Sequence, residues 1–369
     1  MRIILLFVII LSNVWSQCIG DLSYDNIIDD FDTNLLVGQI MANASVSEVS
    51  DINYDDKVDI LDILILIDMI NSGYDICEIF WGEETDAVPE FYHSVDVDSI
   101  QINQVREYYN IAKNVWGNFG PLEFWIIGTD VSDASELDEM YCELRILKDP
   151  CLSNQYLQWC LNREYNFTDY ANYGGAGLSL TRDEQPNCDS YSYMQITLSS
   201  QYPFPNETDY NVVTMHEYFH AYQHAHIFTY NYELRAELMV INPWWSEGGA
   251  EYMAQLLYSQ QDGVSENYLR NKMSWKMQSK NDLLENELIS DIEYGERGYI
   301  AYDLGSWAVA YLISITDIDL YLNDFYDSLN NNDWENSFTS TFGMSSAEFL
   351  IDFHQFLDLS LQEQLNILP

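Results

Sequence analysis

Basic residues are scarce in this chain: Lys and Arg number 14 against 60 Asp and Glu, for a formal net charge of -46 over 369 residues. Affinity for nucleic acid starts from cations that neutralise phosphates, so this surface repels DNA, RNA and anionic lipid, and those partners are excluded. Long apolar runs are also sparse. One stands at the start, Ile3 to Leu11 behind Arg2, and it is too short to span a bilayer. Followed by Val14-Trp15-Ser16, it reads as a signal peptide, residues 1–16, and predicts a secreted or cell-surface protein. The next most apolar segment, Ile60 to Ile70, is interrupted by Asp62 and Asp68, so no membrane insertion is expected. Cysteine occurs only six times, at Cys18, Cys77, Cys142, Cys151, Cys160 and Cys188, all beyond the cut. An even set in an exported chain favours disulfides over a thiolate metal site. Cys18 and Cys77 bracket the N-terminal segment and suggest one staple, and the other four allow three pairings. Histidine is equally rare, with six residues. Chance alone then supplies only about 0.1 pairs at a spacing of four, and a Glu directly after the first cuts that more than tenfold.

What is abundant is core material and acid. The chain is 47% hydrophobic and 15% aromatic, enough for one large core and a small second module. Its carboxylates repel one another, and divalent cations relieve that repulsion. Part of the acid is organised. Asp21, Ser23, Asp25, Asp29 and Asp32 recur thirty positions later as Asp51, Asn53, Asp55, Asp59 and Asp62, which places oxygen side chains at positions 1, 3, 5, 9 and 12 of two twelve-residue loops. Such a loop wraps a hard cation, with a backbone carbonyl at position 7, here Ile27 and Lys57. Position 6, where a left-handed turn is wanted, holds Asn26 and Asp56, which tolerate that conformation best after Gly. Each loop runs into an apolar stretch suited to a helix, Leu35 to Met41 and Ile63 to Ile70. A duplicated loop and helix without an entering helix resembles the dockerin module. The resemblance covers roughly residues 18–75, within a module bounded at 17–77, and implies two structural calcium ions and a cohesin-like or cell-surface partner.

The scarce histidines converge on one segment. Residues 98–116 read as an amphipathic helix, Leu122 to Ile127 as a buried strand, Leu137 to Cys160 as a helical insert, and Tyr193 to Leu198 as a strand free to pair with an extended peptide. The following helix carries His216-Glu217-Tyr218-Phe219-His220. Two imidazoles four residues apart share one helical face and can reach one zinc, and Glu217 sits one step around. Pro243-Trp244-Trp245-Ser246-Glu247-Gly248-Gly249-Ala250-Glu251 then brings a carboxylate with small residues that would let a second helix sit close to the first. Together these motifs resemble the gluzincin peptidases, the peptidase-MA-like group that shares the core of thermolysin and the alanyl aminopeptidases. The likeness spans roughly residues 95–360.

That resemblance implies one catalytic zinc on His216, His220 and Glu247, with Glu217 as general base and Glu251 holding a ligand imidazole. Tyr302 in Tyr299-Ile-Ala-Tyr302-Asp-Leu-Gly305, placed ahead of a helix, would steady the transition state, with Tyr299 in reserve. A rival third ligand is His226, at metzincin spacing, but Gln223 stands where that pattern turns on Gly; His224 and His226 read as groups at the surface or beside the site. Gly174-Gly175-Ala176-Gly177 lacks the acid with which aminopeptidases of the clan grip an amino terminus, which favours an endopeptidase. The expected fold is α+β: a zincin-like domain over 96–369, with a small edge-exposed sheet and a mostly helical C-terminal part, preceded by a small two-loop α-helical module and a linker over 78–95. The expected function is hydrolysis of peptide or protein substrates. The alternative is an inactive zincin-like protein acting as a calcium-dependent binding or scaffold component.

Overall fold

The computed structural model describes residues 22, 28–42, 50, 52, 57–71, 84–85, 88–149, 151–152, 154–163, 165–181, 193–200, 209–227, 232–239 and 242–369. The chain is α+β, about 65% helical with one four-stranded mixed sheet. It divides into two compact units, Met1–Val88 and Pro89–Pro369.

In the first unit, α1 (Asp30–Ala42) and α2 (Ile60–Asn71) pack on each other. The repeat offset of thirty is kept in three dimensions. Leu22 and Ile52, Leu36 and Leu66 are buried equivalents in one apolar cluster. Asp32 and Asp62 are both 0% exposed, and each carboxylate accepts from the backbone N–H three residues earlier, at Asp29 (2.9 Å) and Asp59 (2.8 Å). Asp62 also accepts from Ile52 N at 2.8 Å.

The second unit opens with β1 (Glu90–His93), α3 (Ser99–Trp116) and β2 (Leu122–Ile127). Residues 90–93 were expected in the linker. They instead form an edge strand, because Phe91 and Tyr92 stack on Phe124 and Trp125 of β2. Next come α4 (Val131–Lys148), α5 (Asn154–Leu161), α6 (Phe167–Tyr173), β3 (Ala176–Thr181) and β4 (Tyr193–Ser199). A Cys142–Cys160 disulfide ties α4 to α5 and settles the partners of two of the four cysteines left open above.

The sheet order is β1-β2-β4-β3, with β3 antiparallel to β4 and the other neighbours parallel. Tyr193 to Leu198 was expected to present a free edge, and the structure corrects this. β4 is paired on both sides and every residue in it is buried, the polar Gln195, Thr197 and Ser199 included. The edge strand beside the histidine helix is β3.

Among the described residues the unit continues with α7 (Asp209–Ala225), α8 (Tyr232–Met239), α9 (Pro243–Ser259), α10 (Tyr268–Lys276), a 3-10 turn (Met277–Asp282) followed by a shorter one (Ile289–Asp291), α11 (Tyr299–Ile315), a π-helical turn (Leu320–Asp324), α12 (Phe325–Leu329), α13 (Trp334–Phe342), α14 (Ser346–Leu357) and α15 (Leu361–Leu365). The Trp-rich entry to α9 is an anchor. Trp245 packs against Phe325, Trp334, Phe338 and Phe342, and Trp244 against Trp334 and Phe349. The segment Tyr299–Gly305 is the first part of α11 itself, where a position ahead of the helix was expected. The small residues of α9 serve two partners. A Cβ on Gly248 would lie 2.3 Å from the backbone carbon of Gly305, so Gly248 and Gly305 let α11 approach α9, and a Cβ on Gly249 would come within 3.4 Å of Gln223 Nε2 on α7. No helix among the described residues is long and apolar enough to cross a membrane.

Candidate metal centre

Helix α7 is buried on nearly every side, through Val212, Thr214, Met215, Tyr218, Phe219, Tyr222 and Ala225. It packs against α3, α9, β3 and β4, so its own rotation is fixed by core contacts. One turn apart on this helix, His216 and His220 bring their Nε2 atoms to 3.1 Å from each other. From α9, Glu247 Oε2 lies 3.4 Å from His216 Nε2 and 3.1 Å from His220 Nε2. The edge of a tetrahedron with zinc-to-nitrogen bonds of about 2.0–2.1 Å is about 3.3 Å. The three donor atoms thus form a triangle of the size of one tetrahedral face, and two imidazoles with one carboxylate are a donor set that suits zinc. Among the described residues, these three are the group of His, Cys, Asp and Glu side chains placed to hold a metal ion.

The far side of each ring is also held. His216 Nδ1 faces Glu251 Oε2 at 3.2 Å, and His220 Nδ1 faces Gln223 Oε1 at 2.8 Å. Glu251 Oε1 accepts from Gln255 Nε2 at 2.8 Å and from Lys276 Nζ at 2.8 Å. The ammonium continues to Asp303 Oδ1 at 3.0 Å, and Ser279 Oγ donates to Asp303 Oδ2 at 2.5 Å. A buried chain of charge therefore runs from the first histidine to α11. Glu247 uses its second oxygen separately, accepting from the Tyr294 hydroxyl at 2.8 Å. The Tyr302 ring lies parallel to that of His216, with centroids 5.9 Å apart.

The electrostatics follow from these contacts. Burial disfavours a charged His216, yet hydrogen bonds to Glu247 and Glu251 outweigh it and push its pKa up to about 10. Burial raises the Glu217 carboxyl, which His216 and His220 oppose. Burial would raise Glu247 as well, but His220 and His216 hold it well below the usual carboxylate range. Burial, reinforced by Glu247 and Glu217, keeps the Tyr302 phenol protonated far above its ordinary value. A cavity of about 830 Å³ opens on the site, and its walls include His216, Glu217, Lys276, Tyr302 and Ala176 of β3.

No family model, curated protein or solved structure matches the chain.

The structure brings together His216, Glu217, His220, Glu247, Glu251 and Tyr302, six residues singled out from the sequence. Tyr299 stays at the cavity rim, 46% exposed. His226 is elsewhere: its Nδ1 lies 2.7 Å from Tyr222 O and its ring packs on Phe119, so the metzincin set does not form. Of the loop oxygens, Asp21, Ser23, Asp25, Ile27, Asp51, Asn53 and Asp55 lie outside the described residues, as does the signal peptide. Asp29, Asp32, Lys57, Asp59 and Asp62 are described. Sequence reasoning missed Gln223, Gln255, Lys276, Tyr294 and Asp303. The first two carry a usable signal, since Gln223 stands three residues after His220 and Gln255 four after Glu251, both same-face spacings on a helix. The others reach the site only through the fold.

Proposed function

We propose that this chain is an exported zinc endopeptidase of the gluzincin type. The observation that carries the reading is the donor triangle of His216, His220 and Glu247, with His216 and Glu217 on the wall of a cavity. When bound there, zinc supplies the Lewis acidity that brings water to a pKa near neutrality and polarises a carbonyl. Glu217 then acts as proton carrier. Its buried carboxylate takes a proton from the attacking water and passes it to the leaving amine, and burial has moved its pKa in the direction this task needs. Tyr302 keeps its O–H and can donate it to the developing oxyanion. Among the described residues β3 is the end strand of the sheet and its first residue, Ala176, lines the cavity, so an extended peptide can add to that edge as a further strand. That role passes from β4, where the sequence placed it, to β3.

The reading includes a dockerin-like module holding two calcium ions. It is supported by the equivalent burial of Asp32 and Asp62, the carboxylates that close the two loops, and by the matching contacts of Asp29 and Asp59. A cohesin-like or cell-surface partner belongs to the same proposal.

The test pairs metal analysis with turnover. Wild type should carry one zinc per chain and cleave unfolded protein in a chelator-sensitive way, and Glu217→Gln should keep the zinc while losing about 10²–10⁴-fold in rate. Zinc bound without cleavage of any substrate would favour the alternative, a binding scaffold on an inactive zincin-like domain. An intact Glu217 beside a complete donor set speaks for turnover.

A further inference from the structure

Gln223 touches both metal-bearing helices, and its hydrogen bonds admit one orientation of its amide. The carbonyl of Ser246, the residue before Glu247, can only accept, and Gln223 Nε2 lies 3.3 Å from it. The same nitrogen is 3.1 Å from the Tyr326 hydroxyl. The nitrogen end therefore faces α9, and Oε1 faces His220 Nδ1 at 2.8 Å. An amide oxygen only accepts, so Nδ1 must carry the hydrogen. A neutral imidazole has a single N–H, which leaves the lone pair on His220 Nε2, the atom that converges with His216 Nε2 and Glu247 Oε2. Turning the amide over would set carbonyl against carbonyl at Ser246 and N–H against N–H at His220. Gln223 is 0% exposed, so water cannot relieve either clash.

We propose that Gln223 is a positioning residue of the metal centre: it selects the Nδ1–H tautomer of His220 and ties α7 to the peptide that precedes Glu247, so that two ligands are delivered as one unit. This rests on the reading of His216, His220 and Glu247 as zinc ligands. Outer partners of ligand imidazoles fix the ring and its basicity, and their loss weakens metal binding by about 10–100-fold.

The experiment compares wild type, Gln223→Met and Gln223→Glu, each checked for fold by circular dichroism. Zinc affinity is measured by competition with a chromophoric chelator, and the visible spectrum of the cobalt-loaded proteins reports ligand geometry. Gln223→Met keeps the volume and loses both bonds, so its zinc affinity should fall about 10–100-fold with an altered cobalt spectrum. Gln223→Glu keeps an acceptor for Nδ1, and burial favours its protonated form, whose O–H takes the place of the amide N–H at the Ser246 carbonyl, so it should recover the greater part of the affinity and the wild-type spectrum. The inference is overturned if folded Gln223→Met binds zinc within about twofold of wild type. It is equally overturned if a folded Gln223→Glu binds no better than the methionine variant. Should Gln223→Met not fold, the glutamate variant decides: affinity and spectrum close to wild type support the tautomer role, and their loss overturns it. Failure of wild type itself to bind zinc is a different result, which sinks the metal reading beneath the proposal.

Discussion

Removing the buried ammonium of Lys276 puts a number on the charge chain behind His216. Its Nζ stands 2.8 Å from Glu251 and 3.0 Å from Asp303, with the side chain 4% exposed. At an effective dielectric near 20, each contact has a raw attraction of about 6 kcal/mol, most of which offsets the desolvation of the three groups. Lys276→Met preserves the length of the side chain and strands two carboxylates in the interior. Breaking a buried pair costs about 3–5 kcal/mol. The lower end applies here, since Gln255 still donates to Glu251 and Ser279 to Asp303. With an m-value of about 3 kcal/mol/M in urea, a loss of about 3 kcal/mol moves the midpoint down by about 1 M. Tryptophan fluorescence follows the right unit, because eight of the ten tryptophans lie after Val88.

The pH dependence has a definite sign. Lys276 holds Glu251 below its ordinary value of 4.5, so that contribution is present above pH 4.5 and is lost as pH falls. Glu251 and Asp303 raise Lys276 above its ordinary 10.5, so its contribution is present below pH 10.5 and is lost as pH rises through the folded value. The gap between wild type and Lys276→Met should be full between those limits and narrow at pH 3. Adding Asp303→Asn, which removes one stranded carboxylate, should restore part of the loss. A loss under about 1 kcal/mol at pH 7, or a gap that stays constant into acid, would refute the assignment of a buried, ionised triad.

Two further perturbations are decided by the same structure. Gly248→Ala drives a methyl to within 2.3 Å of the Gly305 backbone, whereas a methyl on Gly38 of α1 meets nothing within 4 Å. Thermal unfolding should therefore show Gly248→Ala losing at least about 1–3 kcal/mol and Gly38→Ala gaining about 0.5–1 kcal/mol, and equal effects would contradict the helix crossing. His216, with its pKa pushed up to about 10, carries a proton at pH 7 that a metal must displace. Zinc titrations at pH 7 in buffers of different ionisation enthalpy should register release of at least about one proton, and heats independent of buffer would show that the ring is already neutral before metal binds.

What could be read from the sequence was what local periodicity encodes. The helix over 99–116, the strands β2 and β4, and His216-Glu217-x-x-His220 all declare themselves within one or two turns of chain. The distal Glu247 was legible because Trp, Gly and Ala crowd around it. Strand neighbours were not legible. β4 looks like a strand whichever partners flank it, and its central place depends on β3, whose glycine-rich start hides the alternation of Leu178 and Leu180. The linker expectation failed for a similar reason, since four residues of β1 become a strand only through stacking on β2. Lys276, Tyr294 and Asp303 lie 29, 47 and 56 positions beyond Glu247 and carry no spacing signal at all. Gln223 differs. Its position was noticed only for the glycine it lacks, although three residues after a ligand histidine is where an acceptor for Nδ1 belongs.

The excess of acid in this chain and the chemistry of its centre are parts of one electrostatic problem. Glu251 and Asp303 share one buried ammonium, Lys276, while Glu217 and Glu247 lie beside the two imidazoles. That arrangement carries a surplus of negative charge in a protein already at -46, and negative charge out of water is costly unless paired. Protonated imidazoles can supply the missing cations, which is why His216 holds its proton so tightly. A divalent ion does the same with two charges at one point and frees both rings to act as donors. The forces that would make the apo cluster basic are thus the forces that would make it bind metal. On the proposed reading they act again on substrate, because a cavity lined by Glu217, Glu251 and Asp303, with Lys276 already shared by two of these carboxylates, favours the approach of basic peptides over acidic ones.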